Sequence, residues 1–557
     1  TPFVHEHSAV VAAEYFNEVS DGPGSKAFVL VTAGPGLTNS VTGIAGAWLE
    51  SRELLVIGGQ CKASDLARGE LRQRGHQEVD GVGIVRSITK SAVLIDKPVA
   101  VSDIASVILT GSQGRSGPVF IEVCLDVQAG HVDEEELAPD LLTLQSPPLV
   151  TATDGELQKL MQLLLTSDRP VFLVGAGLHR QKFREIFPAF ESLGIPIMTS
   201  WNAADYVDSQ SSIYVGRPNT WGQRSANTLI QQADVIVALG ARLGLQQTGF
   251  NWQEFGPLAK IIHVDIDSSE LEKGHPKTHL KIHSDAFLLL ESLVNNFMAP
   301  TSRWEQWRHF CQEVRDKLPT VEFTTSAPDP FVNPFELAAW FHKVLEEDDI
   351  VLPSSSGGSF TSMMQVFESR GNQRIVTNKG LASMGYGLAG AIGAALATNR
   401  RVVLTEGDGG FAQNLQELGT VAQNALNVKI FLQSNDGYAT IRGSQGAYFE
   451  TKWIGCDSDT GLGLPDWRLI SQAYGITHVL LNQGNIDSVE IRDALSFPGP
   501  TLFEVQVDPS QKYFPKIGTS VGRDGKPRSG ALHEMSPVLS GELLGEVLKH
   551  TREATNE

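Results

Sequence analysis

Short apolar runs recur along the whole chain, and most of them end at glycine. Examples are AFVLVTAG (27–34), PVFLVGAG (170–177) and RRVVLTEGDGG (400–410). Each run has the length of a buried strand, and stretches with helical periodicity such as NSVTGIAGAWLES (39–51) lie between them. Strands that alternate with helices are typical of parallel sheets covered on both faces. The pattern therefore predicts an α/β fold of doubly wound parallel sheets.

Two linkers rich in proline, serine and threonine divide this pattern into three parts. They are TLQSPPLVTATD, around 146–154, and TTSAPDPFVNP, at 324–334. We predict three domains, which span residues 1–145, 150–325 and 331–557. Their other expected strands are LLVIGG and GPVFIEVCLDV in the first, ADVIVALGARLG and KIIHVDID in the second, and DDIVLPSSSGG, VKIFLQSNDG and PTLFEVQVD in the third.

Composition excludes some classes of partner. The net charge of −20 argues against a nucleic-acid surface, because phosphate binding needs clustered Lys and Arg. No run approaches the roughly eighteen apolar residues of a membrane span. The four cysteines form no C-x-x-C pair, which indicates reduced thiols in a cytoplasmic protein. The first residues, TPFVHEHSAVVAAEYF, predict an amphipathic helix rather than a signal peptide.

The stretch from Thr405 to Tyr438 carries the clearest candidate chemistry. Asp408 follows one predicted strand and Asn435 follows the next. Both therefore lie at carboxyl ends of strands, where open parallel sheets bind ligands. A carboxylate, an amide oxygen and a free carbonyl after Asn435 suit a hard cation such as Mg²⁺.

Glycines and a helix start lie beside these oxygens. The backbone can approach a ligand closely at three positions, Gly407, Gly409 and Gly410. A helix starting near Phe411 would direct N–H groups at an anion, so the combination predicts a diphosphate bridged by Mg²⁺. Taken alone, either half is better explained as an ordinary turn, a G-D-G turn for the first and an Asx turn before Gly437 for the second.

The two halves at this spacing resemble the thiamine-diphosphate signature, in which G-D-G is followed about two dozen residues later by N. The segment is similar to the acetolactate synthase group of thiamine-diphosphate enzymes, and the resemblance covers nearly the whole chain. It implies that Asp408 and Asn435 bind Mg²⁺ through their side chains and that Gly437 binds it through its carbonyl. The neighbours expected to contact the cofactor are Gly407, Gly409, Gly410 and Tyr438.

Two N-terminal motifs resemble the same family. HEHSAV is similar to its H-E-x-x-A helix, whose glutamate, here Glu6, contacts N1′ of the cofactor's aminopyrimidine. A carboxylate there stabilises the imino tautomer, whereas an uncharged side chain would be a far weaker partner. TAGPGLTN resembles the loop beside the aminopyrimidine and the dimer partner, and its candidate contacts are Gly34, Pro35 and Asn39. The alternatives are a surface glutamate and a glycine turn ahead of a helix.

Two further motifs resemble parts of the family's cofactor and substrate sites. NKGLASMGYGLAGAIGAAL is similar to the stretch whose methionine, here Met384, holds the cofactor in a bent shape; core packing is the alternative. LRQRGHQEVDGVGIV resembles a loop reading R-Q-x-G-F-Q-E, and Gln77 and Glu78 match its last two positions. The resemblance places Gln77 near the reacting carbonyl. His76 replaces the usual Phe and is either a substrate contact or a structural residue.

A third motif, SSSGGSF, aligns with a loop that binds the diphosphate and often reads G-Q-H in the family. Gly357 matches it, whereas Gly358 and Ser359 replace the side-chain donors. We list all three as candidate cofactor contacts.

The middle part carries features of a flavin site. LVGAGLHR has glycines after a strand, but Arg180 interrupts G-x-G-x-x-G. GARLGLQQTG resembles the element that holds FAD in acetolactate synthases, and HVDID and HSDA lie where that family contacts ribose and adenine. The resemblance implies FAD held structurally, without a redox role; a vestigial domain without nucleotide is the alternative. The candidate contacts are Gly175, Ala176, Gly177, Gly240, Arg242, Asp265 and Asp285.

Two features separate the chain from a typical acetolactate synthase. It reads GYATIRGSQGAYF where the family tends to read G-M-V-R-Q-W, and RDGKPRSGALHEMSP follows near the end. Both resemble members of bacterial surface-polysaccharide pathways, which transfer a two-carbon unit from pyruvate to a nucleotide-linked ketosugar. The family also usually has a strand–helix–strand unit before H-E, and without it we expect the first sheet to be incomplete.

The resemblance implies a homodimer, or a dimer of dimers, in which Glu6 of one subunit faces Asp408 and Asn435 of the other. It implies decarboxylation of a 2-oxo acid, with pyruvate favoured, and transfer of the acyl unit to a second 2-oxo acid or a nucleotide-linked ketosugar. One alternative is a thiamine-dependent oxidase or simple decarboxylase on the same fold. Another is a non-catalytic partner chain, although such a chain would have no need of Glu6, Asp408 and Asn435 together.

Overall fold

The computed structural model describes residues 1–20, 26–131, 147–298, 300–322, 327–354, 357–449, 452–521 and 527–550. The predicted domain ends at residues 145, 325 and 557, and parts of both linkers, lie outside this range. The domain bounds therefore stay a prediction.

Three parallel sheets confirm the predicted fold class. The first contains β1 (Phe28–Val31), β2 (Leu54–Gln60), β3 (Ser91–Ile95) and β4 (Pro118–Cys124), in the order β1–β2–β4–β3. The second contains β5 (Pro170–Val174), β6 (Ile197–Thr199), β7 (Val235–Leu239), β8 (Lys260–Asp265) and β9 (Leu280–His283), in the order β6–β5–β7–β8–β9. The third contains β10 (Ile350–Pro353), β11 (Arg374–Ile375), β12 (Val402–Gly407), β13 (Val428–Ser434), β14 (Thr477–Leu481) and β15 (Thr501–Gln506), in the order β11–β10–β12–β13–β15–β14.

Helices cover the sheets. In the first part they are Glu6–Val19, Pro35–Glu50, Gly81–Val85, Val101–Leu109 and Leu125–Gln128. In the second they are Asp154–Leu165, Arg180–Glu191, Arg224–Ile230, Leu245–Thr248, Ser268–Glu272, Ala286–Asn296 and Glu305–Lys317. In the third they are Pro334–Val344, Gly357–Val366, Tyr386–Ala397, Asp408–Phe411, Leu418–Gln423, Ala439–Tyr448, Trp467–Ala473, Val489–Ser496 and Gly541–Val547. None of the helices described is long and apolar enough to cross a membrane, and all four cysteines are free.

The C-terminal segment adds two short antiparallel pairs that the apolar pattern does not predict. They join Lys516–Ile517 to Met535–Ser536 and Thr519–Val521 to Pro527–Ser529. In the first sheet, β1 lies at an edge, and its Phe28 and Leu30 are exposed.

The first helix packs directly on helix Tyr386–Ala397 and so joins the first and third parts of the chain. Gly393 permits the contact, because a Cβ atom there would overlap the backbone of Ala12. A buried ion pair of 2.7 Å between Arg52 and Glu14 lies beside it, and Arg52 also donates to the carbonyl of Thr377 at 2.7 Å. Burial raises the pKa of Glu14 to about 7, although Arg52 opposes the shift.

The segment between β12 and β13 differs from the single helix predicted to start near Phe411. A one-turn helix, Asp408–Phe411, is followed by a break and then by helix Leu418–Gln423. At the break Asn414 donates to the carbonyl of Gly385 at 2.7 Å, and Glu417 accepts from the backbone N–H of His5 at 3.1 Å. The start of the N-terminal helix therefore docks where the predicted helix is interrupted.

Candidate active site

Asp408 lies directly after β12, and Asn435 lies directly after the neighbouring strand β13. The carboxylate of Asp408 is fully buried and accepts hydrogen bonds from three backbone N–H groups. Oδ1 accepts from Gly409 at 2.7 Å, and Oδ2 accepts from Asn435 at 3.0 Å and Gly437 at 3.1 Å. Burial raises the pKa of Asp408 to about 6, against the lowering effect of these N–H groups.

Three oxygens converge at this point. The side-chain oxygen of Asn435 lies 2.9 Å from the carbonyl oxygen of Gly437 and 3.3 Å from Oδ1 of Asp408. Turning the amide over would replace these acceptor contacts with two hydrogen bonds. A hard cation bound among the oxygens would instead stabilise the present amide orientation, in which the side-chain oxygen of Asn435 faces the other two oxygens. The donor set therefore fits Mg²⁺.

Only one of these three oxygens belongs to a carboxylate. Within the described ranges, no group of three or more His, Cys, Asp or Glu side chains could hold a metal by itself. Mg²⁺ is commonly bound through one or two carboxylates together with phosphate oxygens of a ligand. The set is therefore suited to a metal shared with a diphosphate.

The loop after Asn435 has a backbone shape that favours glycine. Asp436 has a φ of 60° and Gly437 a φ of 107°. A Cβ atom on Gly437 would lie 2.5 Å from the carbonyl oxygen of Cys456, which accepts from the N–H of Tyr438 at 2.7 Å. A Cβ atom on Gly409 would lie 2.5 Å from the Tyr438 ring. Gly409 and Gly437 are therefore required for local packing, whatever they contact besides.

Gly407 and Gly410 lie on either side of this packing and have different surroundings. A Cβ atom on Gly407 would have no atom within 4 Å, and one on Gly410 would meet the Glu406 side chain at 3.3 Å. Gly407 therefore leaves room for a ligand, whereas the Glu406 side chain occupies the space beside Gly410.

The start of helix Gly357–Val366 lies nearby, because this helix follows β10, the neighbour of β12. Ser359 is buried, and its hydroxyl has no hydrogen-bond partner in the part of the chain that the structure describes. Gly357 has a φ of 80°, whereas a side chain at Gly358 would overlap the ring of Tyr513. A helix N-terminus with an unpaired buried hydroxyl fits a phosphate group.

Glu6 is the first residue of the N-terminal helix and lies beside two other predicted residues. Asn39 donates to its Oε2 at 3.0 Å, and Pro35 starts the helix that carries Asn39. Gly34, with a φ of 63°, packs against the carbonyl of Gln77 so closely that a Cβ atom would overlap it. The structure therefore gathers these motifs at one place in the first part of the chain.

The two ends of the predicted cofactor site have different hydrogen-bond partners within one chain. Across the described ranges, no hydrogen bond or ion pair joins Glu6 to Asp408 or Asn435. Glu6 bonds to Asn39, whereas Asp408 bonds to its own loop.

His76 and Gln77 line a cavity of about 670 Å³ at the carboxyl end of the first sheet. Both side chains are exposed, and Gln77 has a φ of 55°. Glu78 instead turns inward, where it accepts from the N–H groups of Ala67 at 2.6 Å and Gly75 at 2.9 Å. Gln77 and His76 are thus placed to meet a ligand, and Glu78 shapes their loop.

Met384 is only partly buried and does not belong to the hydrophobic core. The amide nitrogen of Gln413 lies 3.6 Å from its sulfur. Core packing therefore does not account for this methionine.

A cavity of about 750 Å³ lies in the middle of the chain. Six of the seven candidate flavin contacts line it: Ala176, Gly177, Gly240, Arg242, Asp265 and Asp285. Gly175 lies against Gly240, and side chains at either position would overlap the facing backbone. These glycines therefore let two loops pack on each other. The volume of the cavity itself is typical of a ligand pocket.

The two aspartates at this cavity also have local partners. Asp285 caps helix Ala286–Asn296 by accepting from Phe287 at 2.9 Å and Leu288 at 3.0 Å. Asp265 accepts from the N–H of Asp267 at 2.9 Å. Capping alone is a sufficient reason for the aspartate at 285.

Two positively charged residues at these sites were not among the predicted contacts, although the motifs quoted above include both. Lys379 lines the large cavity, and its Nζ lies 5.6 Å from the ring of Trp201. Burial lowers the pKa of Lys379 to about 8, with Arg242 adding to the shift and Glu50 opposing it. Arg442 donates to the carbonyl of Asn435 at 2.8 Å. Neither could be found without knowing which loops meet.

Comparisons with known proteins agree with this geometry. Residues 1–84 match the N-terminal TPP binding domain of thiamine pyrophosphate enzymes, 157–293 their central domain and 356–505 their C-terminal TPP binding domain. The acetolactate synthase large subunit of Cyanidium caldarium is 29% identical over 550 residues, which cover 96% of this chain and 90% of the relative. The acetolactate synthase isozyme 1 large subunit of Escherichia coli (strain K12) is 30% identical over 500 residues, which cover 89% and 85%.

A third relative, the acetolactate synthase large subunit of Lactococcus lactis, is 29% identical over 523 residues, which cover 93% of this chain and 88% of the relative. These names do not support the surface-polysaccharide subgroup, which stays a prediction. The chain belongs to the thiamine pyrophosphate enzymes and, among them, to the acetolactate synthase family of thiamine-diphosphate-dependent acyl transferases.

Proposed function

We propose that the chain is a Mg²⁺-dependent carboligase that decarboxylates a 2-oxo acid, pyruvate first, and joins the acyl unit to a second carbonyl compound. The observation that supports this most is the convergence of the oxygens of Asp408, Asn435 and Gly437. A chain that had lost its chemistry would have no reason to keep a buried carboxylate beside two neutral oxygens at this point.

Thiamine diphosphate, when bound, supplies an acidic carbon and an electron sink. Asp408, Asn435 and Gly437 would hold the metal, and Ser359 would donate to a phosphate oxygen. Glu6 would hold the proton shared with N1′ of the aminopyrimidine, and Asn39, 3.0 Å away, would orient it. The remaining roles fall to Gln77 and His76, which would face the substrate, and to Met384, which would support the cofactor.

We infer that the working unit is a homodimer or a dimer of dimers. Glu6 lies against Asn39 and forms no hydrogen bond or ion pair with Asp408 in the described part of its own chain. A cofactor that needs both residues would be completed by a second copy.

The proposal predicts the product class. Incubation with ¹³C-labelled pyruvate, with and without carbonyl acceptors, should give a branched hydroxy-ketone that keeps two labelled carbons of the donor. With pyruvate alone that product would be acetolactate; if the product forms only with a nucleotide-linked ketosugar, the sugar is the acceptor. Mass spectrometry distinguishes these outcomes. Acetate or acetaldehyde as the sole product would favour the oxidase or the decarboxylase instead.

We further propose that the 750 Å³ cavity binds FAD without a redox role. Its dinucleotide would pass Gly177 and Gly240, where no side chain projects. Arg242, on the cavity wall, would offset the pyrophosphate charge. Asp265 and Asp285 would accept from ribose or adenine groups through oxygens that their local bonds leave free.

Purified protein should therefore be yellow, and pyruvate should not bleach it under anaerobic conditions. Arg242→Gln should weaken FAD binding by about 10-fold or more, the scale of one hydrogen bond to a charged group. Absorbance of the protein-bound flavin measures this. Arg169→Gln is the matched control, because Arg169 lies just before the amino end of β5 and donates to the carbonyl of Gln232 at 2.9 Å. A colourless protein that is fully active after dialysis, and that gains nothing from added FAD, would contradict the flavin proposal.

A further inference from the structure

Arg442 is a buried residue on helix Ala439–Tyr448, and its guanidinium joins three segments of the chain. It donates to the carbonyl oxygens of Asn435 at 2.8 Å, Asp436 at 3.0 Å and Pro509 at 2.9 Å. It also lies 3.5 Å from a carboxylate oxygen of Asp457. With 6% of its surface exposed, Arg442 is almost wholly removed from solvent.

Two of these contacts act on the loop that carries the metal ligands. A trans peptide unit directs its C=O and its N–H to opposite sides. The unit between Asp436 and Gly437 has its C=O on Arg442 and its N–H 3.1 Å from Oδ2 of Asp408. Arg442 therefore holds the peptide that brings Gly437 onto Asp408.

The opposite side of the loop is held as well. Asp436 accepts from the hydroxyl of Ser458 at 2.9 Å, and Tyr438 donates to the carbonyl of Cys456 at 2.7 Å. Asp457, which lies between Cys456 and Ser458 in the sequence, is the carboxylate beside Arg442. The left-handed backbone at Asp436 and Gly437 is thus fixed from both sides.

We propose that Arg442 is a positioning residue for the metal site, which sets the Gly437 carbonyl and the Asn435 side chain against Asp408. It acts through the backbone and does not itself touch metal or cofactor. The inference rests on the proposed Mg²⁺–thiamine diphosphate site. A planar guanidinium with five N–H donors serves two adjacent carbonyls and a third segment at once, whereas a lysine ammonium cannot reproduce this geometry.

The test compares full-length Arg442→Met and Arg442→Lys with Arg401→Met. Arg401 is the matched control, because its side chain is 13% exposed, against 7% for Arg442, and it likewise joins a carboxylate to a backbone carbonyl. It binds Asp349 at 2.9 Å and the carbonyl of Leu495 at 3.3 Å, at the amino end of β12, away from Asp408. Each protein is stripped with EDTA, and thiamine diphosphate binding is then measured by calorimetry over a range of MgCl₂ concentrations. Thermal melting of the stripped proteins records the structural cost of each change.

We expect Arg442→Met to raise the Mg²⁺ concentration for half-maximal cofactor binding by about 10- to 100-fold, as for other groups that orient metal ligands. Arg442→Lys should give a smaller rise, with full binding restored at high Mg²⁺. Arg401→Met should leave the Mg²⁺ midpoint within about twofold of the wild-type value. This should hold even if its melting temperature falls as much as that of Arg442→Met. If Arg442→Met does not fold, the lysine variant alone decides.

An unchanged Mg²⁺ midpoint in a folded Arg442 variant would overturn the inference, as would an equal shift in Arg401→Met. If the wild-type protein shows no Mg²⁺-dependent binding of thiamine diphosphate, the proposed function itself fails. The two failures are therefore distinguishable.

Discussion

Asp408→Ala is expected to abolish retention of thiamine diphosphate at ordinary concentrations of cofactor and Mg²⁺. The substitution removes the one carboxylate of the metal set and the acceptor for the N–H groups of Gly409, Asn435 and Gly437. Residues that merely orient a metal ligand contribute about 10- to 100-fold to metal affinity, so removing a charged ligand itself should lower cofactor affinity by about 10²-fold or more. Calorimetry of thiamine diphosphate binding at fixed Mg²⁺ measures the loss.

Asp466→Ala is the matched control for this substitution. Asp466 caps helix Trp467–Ala473 by accepting from Leu469 at 2.9 Å, so its loss should cost about 1 kcal/mol of stability and leave cofactor binding unchanged. Full activity of Asp408→Ala at ordinary cofactor concentration would contradict the metal assignment.

Glu6→Gln is expected to slow hydrogen–deuterium exchange at C2 of the bound cofactor by about 10²-fold or more, the usual scale of general acid–base effects. Glutamine keeps the size of the side chain and its contact with Asn39 but loses the charge that favours the imino tautomer. Cofactor binding should therefore change less than turnover. Quenched exchange followed by proton NMR gives the rate.

The same substitution at Glu18, near the other end of the first helix, provides the comparison. Glu18 pairs with Arg52 at 3.4 Å and is remote from the predicted aminopyrimidine contacts. Its exchange rate should match that of the wild-type protein. Unchanged exchange in Glu6→Gln would remove Glu6 from the mechanism.

The strands that sequence reasoning found and missed differ in their place in the sheets. Interior strands such as β5, β7 and β12 are buried on both faces and therefore appear as continuous apolar runs. The missed strands of the three main sheets, β3, β6, β9, β11 and β14, all lie at sheet edges. The edge strand β14 reads THVLL and is mostly half-exposed, so its pattern does not separate it from a loop.

The site was predictable where the ends of recognised strands determine it. Asp408 and Asn435 follow neighbouring parallel strands, so their approach follows from topology once both strands are recognised. The contacts of Arg442 were not predictable, because they join helix Ala439–Tyr448 to Asp457 and Pro509, and only tertiary packing brings these together. Gly175 and Gly240 were assigned to a ligand, whereas each also serves the packing of two loops.

The central claim is that Glu6 of one chain and Asp408 of another act on the same cofactor, and mixing two inactive variants tests it most directly. Glu6→Gln and Asp408→Ala proteins are combined in equal amounts, and native mass spectrometry confirms that mixed dimers form. Each mixed dimer would hold one site with both native residues, so ¹⁴CO₂ release from [1-¹⁴C]pyruvate should recover to about a quarter of the wild-type rate. Mixed dimers that release no more ¹⁴CO₂ than the separate variants would contradict a site built from two chains.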